Sequence, residues 1–466
     1  MKHNKNSMIL NFVDRKLEQY RLKKALKSDT AAFVVVYGRR RCGKSRLVKQ
    51  VLSSSDVYFM ADQSEATQQR TLLAKVISSV ITGFDKVIYP DWEILFENIN
   101  LRAERKFTLC IDEFPYLVKS SPGLPAILQK WMDNKAQLKF NLIICGSSQQ
   151  LMHGLVLDST APLFGRADEI MKIQPMAAPY IQEVLNCSAS KAIEEYSVWG
   201  GIPRYWELRL TETDLYEALK YHLLTSQGIL YDEPVRLFLD DMRDTVHSFT
   251  ILSLIAAGCH RLSEIAGRLG KPATHLAAPL DKLLTLGYIE REIPFGENYK
   301  NSKKSLYKIT DPFLGFYFRF VVPNRSFIET EQAGKVISRI KESFSQYVSF
   351  YWEKLCRDAV PAMNIKGITF NTAARWWGNL DKDTSIELDV VAESTDGKYL
   401  LAGECKWVEK QLPIENLLFE SKQKVALLPF AKEKMVIPIL FLKHKQNKYK
   451  HENVFYPEDV LSLLKK

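Results

Sequence analysis

Long apolar runs are missing from this 466-residue sequence. A bilayer-spanning helix needs about 18 consecutive apolar residues. The longest runs here, such as Phe33 to Tyr37 and Ile251 to Ala257, are of strand or short-helix length. The opening MKHNKNSMILNFVDRK has no apolar core of signal-peptide type, so a cytoplasmic location and no membrane partner are expected. Cysteine is scarce, with seven residues (Cys42, Cys110, Cys145, Cys187, Cys259, Cys356, Cys405) and no CxxC pair. That excludes a disulfide framework and fits a reducing compartment. Internal repeats and low-complexity segments are also lacking, which excludes fibrous and disordered classes. What is present is ordinary globular composition, 46% apolar and 25% charged. Lys and Arg outnumber Asp and Glu by 64 to 54, a net charge of +10, which is a mild pointer to a polyanionic partner.

Length alone suggests about three domains. The pattern along the chain divides it into four units of an α/β multidomain protein. Residues 1–175 alternate buried-strand runs (AAFVVVY, KFTLCI, FNLIIC) with amphipathic stretches, the signature of a parallel α/β sheet. Residues 176–235 turn helical, residues 236–325 hold short helices with a β-like end, and residues 326–466 return to mixed α/β.

Gly38-Arg-Arg-Arg-Cys-Gly43-Lys44-Ser45 fits G-x-x-x-x-G-K-[S/T], between a strand and a helix. Its glycines allow backbone N–H groups to wrap phosphates, and the helix N-terminus adds positive potential. The loop Gly38, Arg39, Arg40, Arg41, Cys42, Gly43, Lys44, Ser45 and Arg46 is therefore the expected ATP-binding segment. Lys44 is expected on the β- and γ-phosphates and Ser45 on Mg²⁺. The three arginines are expected to be solvated or partner-facing. Asp112-Glu113 ends the strand FTLCI, so Asp112 is expected to hold Mg²⁺ through water and Glu113 to activate the attacking water. The strand NLIICG ends in Ser147 and Ser148, either of which could sense nucleotide state. Arg166, in PLFGR, could stabilise transition-state charge in cis or from a neighbouring copy in a homo-oligomer, or be a surface arginine.

At these residues the sequence resembles a family. YGRRRCGKS, CIDEFPYL, ICGSS, PLFGR and GGIPRYW together resemble the archaeal-type ATPases, a branch of the AAA+-related P-loop NTPases. The opening FVDRKLEQY is similar to that family's Phe-x-x-Arg-x-x-Glu segment, which lies near the nucleotide. The resemblance implies a helical lid, carrying the GGxP turn, after the ATPase core.

Further on, HRLSEIAGRLG, a turn at Gly270 to Pro272 and a second helix ending LDKLLTLGYIERE form the pattern of a winged helix-turn-helix. The loop GENYKNSKK is its expected wing, with Lys300, Lys303, Lys304 and Lys308 as phosphate contacts. The helix expected to enter a groove, about residues 273–286, is poor in Arg, Asn and Gln, which weighs against base reading. Lys443 to Lys450 is a second lysine-rich stretch.

In the last third, IELDVV and KYLLAGECKW read as hairpin strands. Strand alternation puts Glu404 and Lys406 on one face; Glu387 is expected to turn away from Asp389. The preceding helix SFYWEKLCRDAV contributes Glu353. Asp389 with Glu404-x-Lys406 resembles the PD-(D/E)xK nucleases, with Leu388 where that pattern has proline. The resemblance implies a restriction-endonuclease-like domain. Asp389, Glu404 and Glu353 would bind Mg²⁺, and Lys406 would orient water or the scissile phosphate. The expectation is an ATPase acting on nucleic acid, DNA in the first instance. The alternative is a nucleotide-gated switch that binds DNA or protein without cleavage.

Overall fold

The computed structural model describes residues 14–241, 245–379, 385–445 and 451–465. The described residues form two compact units, residues 14–175 with 236–241, and residues 176–235 with 245–379, 385–445 and 451–465.

The first unit is built on a five-stranded sheet. Its strands are β1 (Phe33–Tyr37), β2 (Val57–Met60), β3 (Phe107–Asp112), β4 (Phe140–Gly146) and β5 (Glu169–Lys172). They are all parallel, in the order β2-β3-β4-β1-β5. Helices on both faces bury β3 and β4 completely, and such strands read as unbroken apolar runs because neither face meets water. The order has one consequence for chemistry. The loop after β1 and the acid pair at the end of β3 stand on either side of the end of β4.

The second unit opens with helices Ala178–Leu185, Ala189–Trp199, Pro203–Arg209 and Leu215–His222. Gly200 ends one of them at φ 61, with Pro312 so close that a side chain would be crowded as well as strained. Glu195 is fully buried and receives both Nε and Nη2 of Arg209 at 2.9 Å, with Trp199 Nε1 at 3.0 Å. Next come helix Leu262–Leu269, a 3-10 turn at Ala273–Leu276, helix Ala277–Thr285, and an antiparallel pair, β6 (Ile289–Glu292) and β7 (Leu306–Ile309). DPFLGFYFRFV forms a short helix and a π turn whose aromatic residues are all buried, as its apolarity requires.

The 27-residue helix Ala333–Ala359 spans the unit. Tyr347 Oη lies 2.9 Å from the carbonyls of both Ser197 and Pro312, which share its one proton, so one side chain ties three segments. A short hairpin of β8 (Asn364–Ile365) and β9 (Ile368–Thr369) follows. The last sheet runs β10 (Ala374–Asn379), β11 (Ser385–Glu393), β12 (Tyr399–Lys406), β13 (Met435–Leu442), β14 (Val454–Phe455) in that order. Its first three strands are antiparallel and its last three parallel. Helix Ile414–Ala426 is the crossover from β12 to β13, the connection that parallel neighbours need. No helix among the described residues is long and apolar enough to cross a membrane.

Removing one partner of a buried ion pair strands the other charge, at a cost of about 3–5 kcal/mol. Arg209→Ala is therefore expected to lower unfolding stability by about 3 kcal/mol, read from the urea midpoint of the second unit's transition. A loss under about 1 kcal/mol would show that Lys191, 3.9 Å from Glu195, replaces it.

Candidate functional site

Two clusters of functional side chains emerge, one in each unit. In the first, the loop after β1 turns at Gly38 (φ 149) and Gly43 (φ 89). A side chain at Gly38 would run into the carbonyl of Ile173. Lys44 is only 5% exposed, and its Nζ donates to the carbonyls of Gly38 at 2.9 Å and Arg39 at 3.0 Å. The ammonium thus lies inside its own loop, where an entering phosphate would meet it. Cys42 is buried, while Arg40 is exposed and Arg41 and Arg46 are half-buried. Arg39 is a correction to the expected solvated arginines: it is 7% exposed, packed within the loop.

Asp112 is buried at the end of β3, and its Oδ1 accepts from the Glu113 amide at 2.9 Å. Its Oδ2 accepts from the Tyr58 hydroxyl, which also hydrogen-bonds Ser45. Burial, followed by the bond to Asp112, pushes the Tyr58 hydroxyl far up, so it stays a proton donor. Lys49 lies 4.2 Å from the centre of its ring. Tyr58 therefore bridges the two expected Mg²⁺ ligands. No spacing rule identifies it, because nothing in VYFM shows that β2 pairs with β3. Ser45 and Asp112 offer hard oxygens at one place, and Mg²⁺ needs only one or two such protein ligands with waters, so the donor set fits.

Glu113 sits at φ 53, ψ 41, a left-handed conformation for a residue with a side chain. Such strain is characteristic of functional positions. Its Oε2 accepts from Ser147 Oγ at 2.9 Å and from the Ser147 amide at 3.3 Å. Of the two serines, Ser147 thus meets the acid, and Ser148 caps the next helix. Arg166 binds Asp133 with Nε at 2.8 Å and Nη2 at 3.2 Å. This two-pronged pair on the same chain engages the guanidinium of the arginine expected either to stabilise charge or to lie at the surface. Arg15, from the opening segment, is buried, pairs with Glu18 at 2.9 Å and donates to the Gln174 carbonyl; Phe12 lies outside the described residues.

In the second unit, Glu353, Asp389, Glu404 and Lys406 line one cavity of about 600 Å³. The antiparallel register that pairs Val390 with Gly403 brings Asp389 opposite Glu404, and the Cys405 amide donates to Asp389 Oδ2 at 2.9 Å. Burial, then the Asp389 charge, pushes the Glu353 carboxyl up to about 7. Burial and Glu404 raise Asp389 against the Cys405 hydrogen bond. Burial also acts on Glu404, but Lys406 (2.6 Å) and Lys424 outweigh it and hold the carboxyl below its ordinary value. Among the described residues, no three His, Cys, Asp or Glu are gathered closely enough to form a metal cage. Asp389 and Glu404 remain a two-carboxylate set of the kind Mg²⁺ accepts with waters.

Several expectations need correction here. Glu387 lines the same cavity as Asp389, because residues two apart on a strand share a face; it is 54% exposed and paired with Arg375. Lys308 lines the same groove as Lys303 and Lys304, but its side chain is only 17% exposed and its ammonium is paired with Glu292 at 2.8 Å. Lys300, Lys303 and Lys304 are exposed between β6 and β7. Lys443 is buried, paired with Glu409 and, at 3.2 Å, with Glu194; residues 446–450 lie outside the described residues. Arg375 and Lys424 were not legible as site residues, because they come from β10 and from the crossover helix, with no fixed spacing to the Glu404-x-Lys406 pair.

A parallel sheet with a phosphate loop after one strand and an acid pair ending another defines a P-loop NTPase. Residues 12–208 match a family described as an ATPase domain predominantly from Archaea. Residues 317–422 match one described as Archaea bacterial proteins of unknown function. The sequence is 31% identical over 402 residues to the uncharacterized protein MJECL04 of Methanocaldococcus jannaschii, covering 85% of this chain and 87% of that one. The chain belongs to this family of P-loop ATPases found mainly in Archaea. In fold it is similar to the Walker-type ATPase of Pyrococcus abyssi, with a TM-score of 0.53 and 20% identity over 68% of this chain and 99% of the other.

A nucleotide that binds the folded state alone raises its stability by mass action, about 2.7 kcal/mol at a hundred times Kd. MgATP is expected to raise the melting temperature of the first unit by several degrees, and Lys44→Ala to abolish that rise. An equal rise in the variant would show that Lys44 does not hold the phosphates.

Proposed function

We propose that this protein hydrolyses ATP in its first unit and acts on nucleic acid through its second. Lys44 and the loop amides bind the phosphates, Ser45 and Asp112 hold Mg²⁺, and Glu113 draws the proton from the attacking water. Ser147 holds that carboxylate and couples it to the end of β4. Residues 1–175 form the ATPase core, 176–235 a helical lid, 236–325 a winged helix-turn-helix and 326–466 a restriction-endonuclease-like domain of PD-(D/E)xK type. DNA is the expected partner.

The observation that carries the second half is the cavity that Glu353, Asp389, Glu404 and Lys406 share. Burying three carboxyls around one space is costly unless a cation or a proton answers them. Asp389 and Glu404 would hold Mg²⁺ there, whose Lewis acidity favours attack on a phosphodiester. Lys406 positions the scissile phosphate, and Glu353 completes the acidic wall.

A second reading has its own observation. Both Glu404 oxygens are engaged by lysines, which suits a nucleotide-gated binding switch without cleavage. Assays of ATP hydrolysis and of DNA and RNA cleavage on one preparation separate the two. Lys44→Ala is expected to abolish hydrolysis. Lys406→Ala and Asp389→Ala are expected to lower Mg²⁺- or Mn²⁺-dependent cleavage at least a hundredfold, with ATP turnover intact. Intact substrates with wild-type protein would reject cleavage, and nucleic-acid affinity that differs between ATP and ADP would then establish the switch.

A further inference from the structure

A second cavity, of about 970 Å³, adjoins the carboxylate cavity. The two share Arg375, Ser385, Ile386 and Glu387 as walls. On its other side it is lined by Arg261, Lys303 and Lys304, all exposed, and by Trp377, half-buried on β10. Among the described residues its lining holds one carboxylate, Glu387, which is already paired with Arg375. Lys304 meets Glu297 at 3.0 Å, and Arg261 stands 4.0 Å from Glu264. Both are exposed pairs of the sort that contribute little and exchange readily for another anion. The helix Ala277–Thr285 contributes nothing to this lining.

We infer that this groove is the track of a single polynucleotide strand leading into the carboxylate cavity. The inference rests on the nucleic-acid reading above. Lys303, Lys304 and Arg261 neutralise successive phosphates, and the Trp377 ring offers a stacking face for a base. Arg375 stands 5.8 Å from that ring. Its charge, answered by Glu292 and Glu387, marks where the track passes into the acidic cavity. The groove lies at the upper end of the roughly 300–1,000 Å³ range of enclosed ligand pockets. That is room for a few nucleotides of one strand. The assignment moves recognition away from the second helix of the helix-turn-helix pattern. It places contact on the β6–β7 connection and the start of the first helix, where base-reading side chains are not required.

The test is fluorescence anisotropy of the full chain with labelled oligo-dT and oligo-U, in EDTA so that binding is read without cleavage. Wild type is expected to bind at least one of them. Lys303→Glu with Lys304→Glu is expected to weaken it at least tenfold. Because two phosphates then keep their counterions, the slope of log affinity against log salt falls by roughly 1.4. Trp377→Ala is expected to weaken binding roughly tenfold with the slope unchanged, and Trp377→Phe to retain most of it. The comparison of dT with U identifies the sugar the track accepts. A charge-matched control, Lys23→Glu with Lys24→Glu on the first helix, is expected to bind as wild type. Groove variants that bind like wild type, a control that loses as much, or a duplex that competes equally well would overturn the track and leave the nucleic-acid reading standing. Failure of wild type to bind either strand at low salt would overturn both.

Discussion

Glu292 is the point on which the second unit's arrangement depends. This one carboxylate on β6 receives Lys308 of β7 at 2.8 Å, Arg375 of β10 at 3.2 Å and Arg357 of the long helix at 3.3 Å. Burial by itself would push the carboxyl up, but the three cations together hold it below its ordinary value. Lys308 is in turn held below its ordinary value, chiefly by burial. Three positive charges in a half-dry space would repel one another without it. The β6–β7 hairpin, the long helix and the first strand of the last sheet therefore meet in one relative placement. The Phe295 amide, donating to the Arg375 carbonyl at 2.8 Å, fixes the same junction through the backbone.

That junction reaches the carboxylate cavity directly. Arg375 and Arg357 each stand 4.0 Å from Glu353, so two partners of Glu292 are also neighbours of the acid that burial and Asp389 drive toward protonation. Charge is balanced across the whole set rather than pair by pair. Lys406 and Lys424 sit close enough to Glu404 to outweigh its burial, which the more distant arginines do not do for Glu353. Glu404 is answered by lysines, Glu353 has arginines nearby and Asp389 is held by the Cys405 amide, and this partial compensation within the cavity is why both a cleaving and a purely binding reading are chemically open to it.

Much of the first unit was legible in the sequence because its signals are local. The strand FVVVY, the loop Gly38 to Ser45 and the helix behind it are contiguous, and the acid pair follows its own strand. The hairpin of β11 and β12 was legible for the same reason, with its turn at Ser394 to Gly397. What was not legible came from pairings between distant segments. Tyr58 joins the site only because β2 lies beside β3, and Arg166 meets Asp133 across 33 positions. The misplacement of Glu387 had another origin. A side-chain period of two puts residues 387 and 389 on one face, and that rule needed no coordinates. Lys308 shares a groove with the loop lysines, but its ammonium is committed to Glu292 on the neighbouring strand, and that pairing depends on the β6–β7 register.

The net charge of +10 illustrates why composition is a weak guide to partners. A good share of the cations are committed inside the fold. Arg209 serves Glu195, Lys443 serves Glu194 and Glu409, and Lys308, Arg357 and Arg375 serve Glu292. Subtracting them does not remove the positive surface; it concentrates it. Arg261, Lys303 and Lys304 lie where the chain leaves cations exposed beside an acidic cavity, and a phosphate backbone is attracted by such local potential rather than by the total. The first unit makes the same point from the other direction. Three consecutive arginines suggest an exposed basic patch, yet Arg39 is buried within the phosphate loop, as Lys44 is, and only Arg40 of the three is fully exposed.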